Sequence, residues 1–81
     1  MVLAHLHRID PEANMARFYR VDIAPTLFGE VCVIRTWGRI GTRGRTCIET
    51  WESAAEAERA AVRTLRQKAR RGYLLTRPMH R

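Results

Sequence analysis

Apolar and polar residues alternate along the first two thirds of the chain, and this period of two predicts β-strands. The pattern predicts four strands, at about residues 2–9, 15–23, 30–37 and 45–51. The segments between them contain Pro, Gly, Asn and Asp, which is typical of turns. Strands joined by short connections pair antiparallel, so the sequence predicts an antiparallel sheet of about four strands.

The next segment changes to the period of an α-helix. Ser53 and Glu56 form a capping box, and Gly72 suits the left-handed position just past a helix end, so we expect a helix that ends near Arg71. One side of this helix collects the apolar residues that we expect to face the sheet, namely Ala54, Ala57, Ala61, Leu65 and Ala69, with Val62 at the margin. The predicted fold class is α+β, a small antiparallel β-sheet packed against one C-terminal α-helix.

Two local patterns carry expectations about burial. In the third strand the even residues of Cys32–Thr36 suit the core, which would turn the odd row outward at its Arg35–Trp37 end. Before that strand, Leu27 and Phe28 are expected to fold back onto the core, because large apolar side chains are usually buried. Trp51, just before the helix cap, is expected in the core for the same reason.

The length of 81 residues allows one small domain, placed at residues 1–75, followed by a basic tail at residues 76–81. Residues 73–75 are also compatible with a short edge strand. Cys32 and Cys47 suit either small core positions or one cross-strand pair, and His5 and His7 are isolated, so no metal site and no cofactor are expected. The sequence shows no signal-peptide core and no membrane-length apolar run, which predicts a cytoplasmic protein with no membrane partner.

Charge says more about function than composition does. The chain has fifteen basic and eight acidic residues, a net charge of +7, and the basic residues come in blocks. Clustered positive charge is typical of proteins that bind nucleic acid or another polyanion. On the predicted helix, Arg59, Arg63, Arg66 and Arg70 form a stripe of like charge that is either a solvated face or an anion-binding one.

The segment that ends the third strand combines an aromatic ring, glycines and arginines. Trp37-Gly38-Arg39 leads directly into Ile40–Arg45, which has two more glycines and two more arginines. Guanidinium groups suit phosphate, and an indole ring is either a core residue at a hairpin end or a stacking surface for a ligand. The neighbouring arginines favour the second role. Elsewhere the sequence has no Ser/His/acid or Cys/His arrangement, so an enzyme is not expected.

Together these motifs resemble the WGR domain. The segment Phe18–Val21 is similar to the second-strand aromatic pair of that family, and Trp37–Gly44 is similar to its signature. The segment Lys68–Tyr73 is similar to its lysine-rich helix end and Gly-Tyr exit. The resemblance covers about residues 15–75. The domain occurs in the DNA-damage-activated poly(ADP-ribose) polymerases and in bacterial proteins, some labelled as molybdate metabolism regulators.

The resemblance implies a domain that packs against DNA ends. The signature tryptophan of the family stacks on a terminal sugar, and its arginine reaches the backbone or neighbouring domains; these roles would fall on Trp37 and Arg39. One departure is Arg45, which stands where many members have glutamine and adds charge to the loop. The other is the absence of an attached catalytic domain, so the resemblance implies binding without ADP-ribosyl transfer.

We therefore expect a non-catalytic nucleic-acid-binding module, for DNA rather than RNA, that contacts the backbone or ends through the Trp-Gly-Arg loop. The predicted contact residues are Arg35, Trp37, Gly38, Arg39, Arg43, Arg45, Arg63, Arg66 and Arg70. The alternative is a protein-interaction adaptor that docks an acidic partner, because protein interfaces also favour Trp and Arg. A third hypothesis is a domain that once belonged to a larger enzyme and now acts only through a partner.

Overall fold

Alternating strands and one helix build the protein, as their sequence periods predict. The computed structural model describes residues 2–77. The elements are β1 (Val2–Asp10), β2 (Met15–Pro25), β3 (Val31–Arg39), β4 (Arg45–Trp51), α1 (Ala54–Arg70) and β5 (Leu74–Arg77). The strands form an antiparallel sheet in the order β4-β3-β2-β1-β5. The predicted α+β class is confirmed, and the sheet has a fifth strand at its β1 edge.

The ends of α1 follow from local hydrogen bonds. Ser53 Oγ accepts a hydrogen bond from the backbone N–H of Glu56 at 3.2 Å. At the other end Gly72 has φ +95°, and the N–H of Tyr73 donates to the carbonyl of Lys68 at 3.1 Å, which is part of a Schellman motif. This turn reverses the chain, so that β5 runs back along β1.

β5 takes part of the predicted tail into the sheet. Thr76 and Arg77 belong to this strand, and Thr76 Oγ1 donates a hydrogen bond to the carbonyl of His5 at 2.8 Å. The expected tail is therefore wrong for these two residues, because the Gly72 turn aims them at the unpaired edge of β1. The rest of that tail, residues 78–81, lies outside the described residues.

The core lies between α1 and the face of the sheet that it covers, which we call the helix-side face. Its buried residues are Leu6, Tyr19, Val21, Val33, Ala57 and Ala61, with Trp51 among the half-buried residues packed against them. Small alanines let α1 lie close to β3 and β4. The predicted stripe is wrong at Ala54 and Ala69, which are exposed, because the buried side of the helix is turned toward Ala60 instead.

The orientation of β3 is opposite to the prediction. Its odd row faces α1: Val33 is 1% exposed, and the Arg35–Trp37 end also lies on the helix-side face. The even residues of Cys32–Thr36 lie on the other face, which α1 does not cover and which we call the open face. The reason is register, because Trp37 lies directly opposite Tyr19 on β2. Cross-strand partners share a face, and Tyr19 and its neighbour in the same row, Val21, are buried in the core.

The tip of the β2–β3 hairpin also differs from the expectation. Leu27 and Phe28 do not fold back onto the core; they are 95% and 87% exposed. The first partner of β1 on β2 is Asp22, so the hairpin continues beyond β1 and carries its tip away from the core. Sheet geometry therefore overrides the usual burial of large apolar side chains.

The two cysteines lie on opposite faces of the sheet. Cys32 on β3 pairs in register with Thr50, and Cys47 on β4 pairs with Arg35. Cys47 shares the helix-side face with its partner Arg35, whereas Cys32 belongs to the row on the open face. The two thiols therefore point away from each other. Both are free, so the expected alternative of a cross-strand pair is wrong.

Gly38 and Gly44 let β3 and β4 approach closely where the hairpin loop begins. A Cβ at Gly38 would lie 2.7 Å from the Cα of Gly44, and a Cβ at Gly44 would lie 2.8 Å from Cζ of Phe18 and collide with the Trp37 carbonyl. The N–H of Ile40 donates to the carbonyl of Ala16 at 2.9 Å and ties the loop to β2. The glycines thus serve packing inside the sheet.

Replacing Gly44 by alanine is expected to destabilise the protein more than replacing Gly41. Both have positive φ, +74° and +96°, but a methyl group at Gly41 meets nothing within 4 Å. In chemical denaturation, Gly41→Ala should lower the free energy of unfolding by about 1 kcal/mol, the strain of a left-handed L-residue. Gly44→Ala should lower it by about 2 kcal/mol or more. Equal losses would show that the close approach carries no constraint.

Candidate nucleic-acid interface

A cleft of about 180 Å³ opens on the helix-side face beside the last turns of α1. It is lined by Tyr19, Arg35, Trp37 and Lys68. The rings of Tyr19 and Trp37 are cross-strand partners and lie nearly parallel, with centroids 6.1 Å apart and planes 19° apart. Trp37 is half-buried and also packs against the core. Trp37 therefore packs against the core on one side and lines the cleft on another, and its role as a stacking surface for a ligand stays a prediction.

Arg35 is held in the cleft by protein groups. Its Nη2 donates a hydrogen bond to Cys47 Sγ at 3.3 Å and lies 3.2 Å from Glu49 Oε2. Burial acts against its charge, but Cys47, Tyr19 and Glu49 outweigh burial and raise the pKa of Arg35. Its buried Nε has no acceptor among the described residues. Arg35 is thus a fixed positive charge in the wall of the cleft, with one donor unused.

Lys68 brings a second cation to the cleft, at a position where its positive charge is disfavoured. Its Nζ lies 4.6 Å from the ring centroid of Tyr19 and 5.6 Å from that of Tyr73, within range of cation–π attraction. Burial lowers the pKa of Lys68, and the nearby positive charges of Arg71, Arg35 and Arg17 lower it further.

The lowered pKa of Lys68 has a consequence for stability. At neutral pH its charged form costs the folded protein stability, and that cost disappears as pH rises through the lowered pKa toward the unfolded value. An anion in the cleft would favour the charged form and offset the same cost at neutral pH.

Three arginines lie side by side next to the cleft, and we call them the arginine row. Arg17 on β2 pairs in register with Arg8 on β1 and with Arg39 on β3. Directly opposed residues have Cα atoms about 4.5–5.5 Å apart, and like charges in such pairs are unfavourable. Within residues 2–77, the ion pairs are those of Arg20 with Asp22 and of Arg35 with Glu49. No arginine of the row is therefore paired with a carboxylate in this part of the chain.

The predicted loop residues divide between the two faces of the sheet. Arg45 lies opposite Trp37, and Arg39 belongs to the arginine row, so both lie on the helix-side face. Arg43 instead lines a groove on the open face. Gly38 acts through the close packing described above, and its role as a contact residue stays a prediction.

The arginine stripe of α1 lies apart from the cleft. Arg63, Arg66 and Arg70 are exposed, and at 100° per residue they fall roughly opposite the buried Ala57. Arg63 and Arg66 line a separate groove on the flank of the helix with Val62. The structure therefore does not bring the stripe to Trp37, and its contact with nucleic acid stays a prediction.

Four of the basic residues around the cleft were not among the predicted contact residues, namely Arg8, Arg17, Lys68 and Arg71. Arg8 and Arg17 are far from the Trp-Gly-Arg loop in sequence, and only the strand register makes them neighbours of Arg39. Alternation was the available signal, because Arg17 is two positions before the inward Tyr19 and must share its face.

No three His, Cys, Asp or Glu side chains within residues 2–77 converge as metal ligands would. No helix of the described residues is long and apolar enough to cross a membrane.

Comparisons with known proteins agree with this architecture. The family model of the WGR domain matches residues 2–79. The chain is 45% identical over 69 residues to the uncharacterized protein y4dW of Sinorhizobium fredii. The aligned region covers 85% of this chain and 34% of that protein. It also resembles the crystal structure of a Bacteroides fragilis protein, with a TM-score of 0.76 and 28% identity over 95% of this chain and 20% of that one. The chain thus spans only a part of each of these relatives.

Arg17→Gln is expected to stabilise the isolated protein, because it removes two like-charged cross-strand contacts. The gain should be about 0.2–1 kcal/mol at low salt and should shrink at high salt, where exposed charges are screened. Thermal unfolding at two salt concentrations measures both effects. The control is Arg20→Gln on the same strand, which loses the 2.9 Å ion pair with Asp22 and should not stabilise. A loss of stability in Arg17→Gln at low salt would contradict mutual repulsion in the row.

Proposed function

The chain belongs to the WGR domain family, and on this premise we propose that it is a non-catalytic nucleic-acid-binding module. Its target is the sugar–phosphate backbone of duplex DNA at or near an end, and the DNA binds around the cleft on the helix-side face. The observation that carries the proposal is the concentration of cations around an aromatic cleft. The arginine row, Arg45, Lys68 and Arg71 surround it, and the carboxylate beside it, Glu49, is already paired with Arg35.

Electrostatics favours a polyanion as the ligand. The cross-strand contacts of Arg17 and the lowered pKa of Lys68 are both costs that the free protein bears. A line of phosphates would turn these repulsions into attractions and release the counterions condensed on the DNA. The same surface that is unfavourable in isolation is therefore favourable in a complex.

Trp37 supports contact with an end of the duplex. Its ring is held in place by packing against the core and by the parallel ring of Tyr19, so little side-chain freedom is lost on binding. Bases inside a duplex are stacked on each other, whereas a terminal nucleotide leaves a sugar or base face open to a ring. Stacking on aromatic rings is tolerant of sequence.

The chemistry of the cleft favours binding with little base specificity. Apart from the hydroxyl of Tyr19, the hydrogen-bonding groups that line it belong to Arg35, Lys68 and Trp37. Contacts from such cations to phosphate fix the position of a duplex but carry no sequence information by themselves.

Anisotropy titrations of a labelled duplex with a 5′-phosphorylated end test the proposal. If about four phosphates are neutralised, log K should fall with log salt at a slope of roughly −3 to −4. Arg39→Gln should weaken binding and reduce that slope by about one unit. Trp37→Ala should cost about 1 kcal/mol or more of binding energy, with thermal unfolding to confirm that the half-buried site still folds.

Arg63→Gln is the matched substitution on the outer side of α1. It removes the same charge, so an unchanged slope would confine the interface to the helix-side face, and a reduced slope would extend it to the stripe. Absence of salt-sensitive binding by the wild-type protein at low salt would contradict the proposal. It would leave the adaptor that docks an acidic protein partner as the better hypothesis, and a pull-down as the next experiment.

A further inference from the structure

The open face of the sheet carries a groove that the proposed duplex contact does not use. Its volume is about 320 Å³, and it is lined by His5, His7, Phe18, Arg20, Thr36 and residues 40–43. The helix packs against the opposite face, so this surface is the uncovered side of β1, β2 and β3. The side chains that line it come from alternate positions of these strands and from the Trp-Gly-Arg loop.

Three rings form the aromatic part of the groove. His5 and His7 meet edge to face, with centroids 5.0 Å apart, and His5 meets Phe18 in the same way at 6.2 Å. None of these contacts is a parallel stack, in contrast to the rings of Tyr19 and Trp37 on the other face. His7 and Phe18 are also direct cross-strand partners, so their side chains form neighbouring parts of one surface.

The glycine pair keeps this surface low on one side. Phe18 lies opposite Gly38 in register, and its Cζ lies 2.8 Å from the position that a Cβ of Gly44 would take. Because neither glycine has a side chain, neither of them places a Cβ beside the ring. The close approach that the fold requires thus also leaves the Phe18 ring as part of the lining of an open groove.

Charge in the groove favours an anionic ligand. Arg43 comes from the loop and Arg20 from β2, and among residues 2–77 no carboxylate lines the groove. Arg20 is held by Asp22 at 2.9 Å, so Arg43 is the cation that is better placed for a new partner. Aromatic and imidazole rings beside a cation are the combination that binds single-stranded nucleic acid, because unpaired bases expose their faces for stacking.

We propose that this groove binds an unpaired nucleic-acid strand, with bases stacked on Phe18 and His7 and the backbone passing Arg43. The inference rests on the proposed function, because the unpaired strand would continue from the duplex end held beside Trp37. One loop borders both surfaces. Arg39 and Arg45 lie on the helix-side face, and Arg43 lies on the open face. A strand that leaves a duplex end beside Trp37 crosses this loop to reach the groove. The ligand is then a duplex end that carries a single-stranded extension.

Three labelled probes test the proposal: a short oligothymidine strand, a blunt duplex, and the same duplex with that strand as an extension. Wild-type protein should bind the extended duplex more tightly than the blunt one. His7→Ala should weaken binding of the single strand by about fivefold or more and remove most of the advantage of the extension. Phe18→Leu, which keeps an apolar side chain over the glycine pair, should do the same. Neither variant should change binding of the blunt duplex by more than about twofold.

Arg17→Ala is the matched control, because Arg17 precedes Phe18 in the chain and its side chain points to the other face. It should weaken the blunt duplex and leave the single strand unchanged. Thermal unfolding guards against a folding defect in the variants. In the wild-type protein, the His7 imidazole NMR signal should shift on addition of the strand.

The possible outcomes separate the two proposals. An extension that adds no affinity, or single-strand binding that is indifferent to His7→Ala and Phe18→Leu, would overturn this one. Self-association of the protein through the open face that excludes the strand would also overturn it. Strand binding that depends on His7 and Phe18 without any binding of the blunt duplex would support the groove and reject the proposed function.

Discussion

The register that places Trp37 between Tyr19 on one side and Arg45 on the other is the constraint on which both surfaces of this protein depend. Side chains alternate along a strand, so this one pairing sends the row of Val33 and Trp37 under α1 and turns Gly38 toward the open face. A slip of one residue would exchange the two faces. It would put Trp37 on the open face and remove the valine from the core.

The cations of the helix-side face gather where the core ends. A small domain has a thin margin of stability, yet the arginine row places three like charges in direct register, and Lys68 sits in a site that disfavours its charge. The buried core beside it is formed by the apolar and aromatic side chains named above, from Leu6 to Ala61, so these charges are not what fills it. Local costs of this kind are expected at functional sites, where binding offsets them.

Most of the secondary structure could be predicted because its signals are local. The Ser53 cap and the Gly72 turn each depend on a few neighbouring residues. The orientation of β3 could not be predicted, because both of its rows contain apolar residues. Only the pairing with Tyr19 decides which row faces the core. The same limit applies to the site: Trp37 and Arg39 follow from the signature, whereas Arg8 and Arg17 join them through contacts between distant parts of the chain.

The Trp-Gly-Arg loop joins the two faces because it is both close-packed and fixed. The N–H of Ile40 bonds to β2, and Thr42 Oγ1 donates to the carbonyl of Arg39 at 2.8 Å, so the loop starts in one defined shape. A fixed loop loses little freedom on binding. Its arginines leave it in two directions, Arg39 and Arg45 beside the cleft and Arg43 beside the open groove. The short loop thereby separates the two surfaces at this end of the sheet. A ligand that engages both must change direction there, as the paired and unpaired parts of a DNA end are free to do.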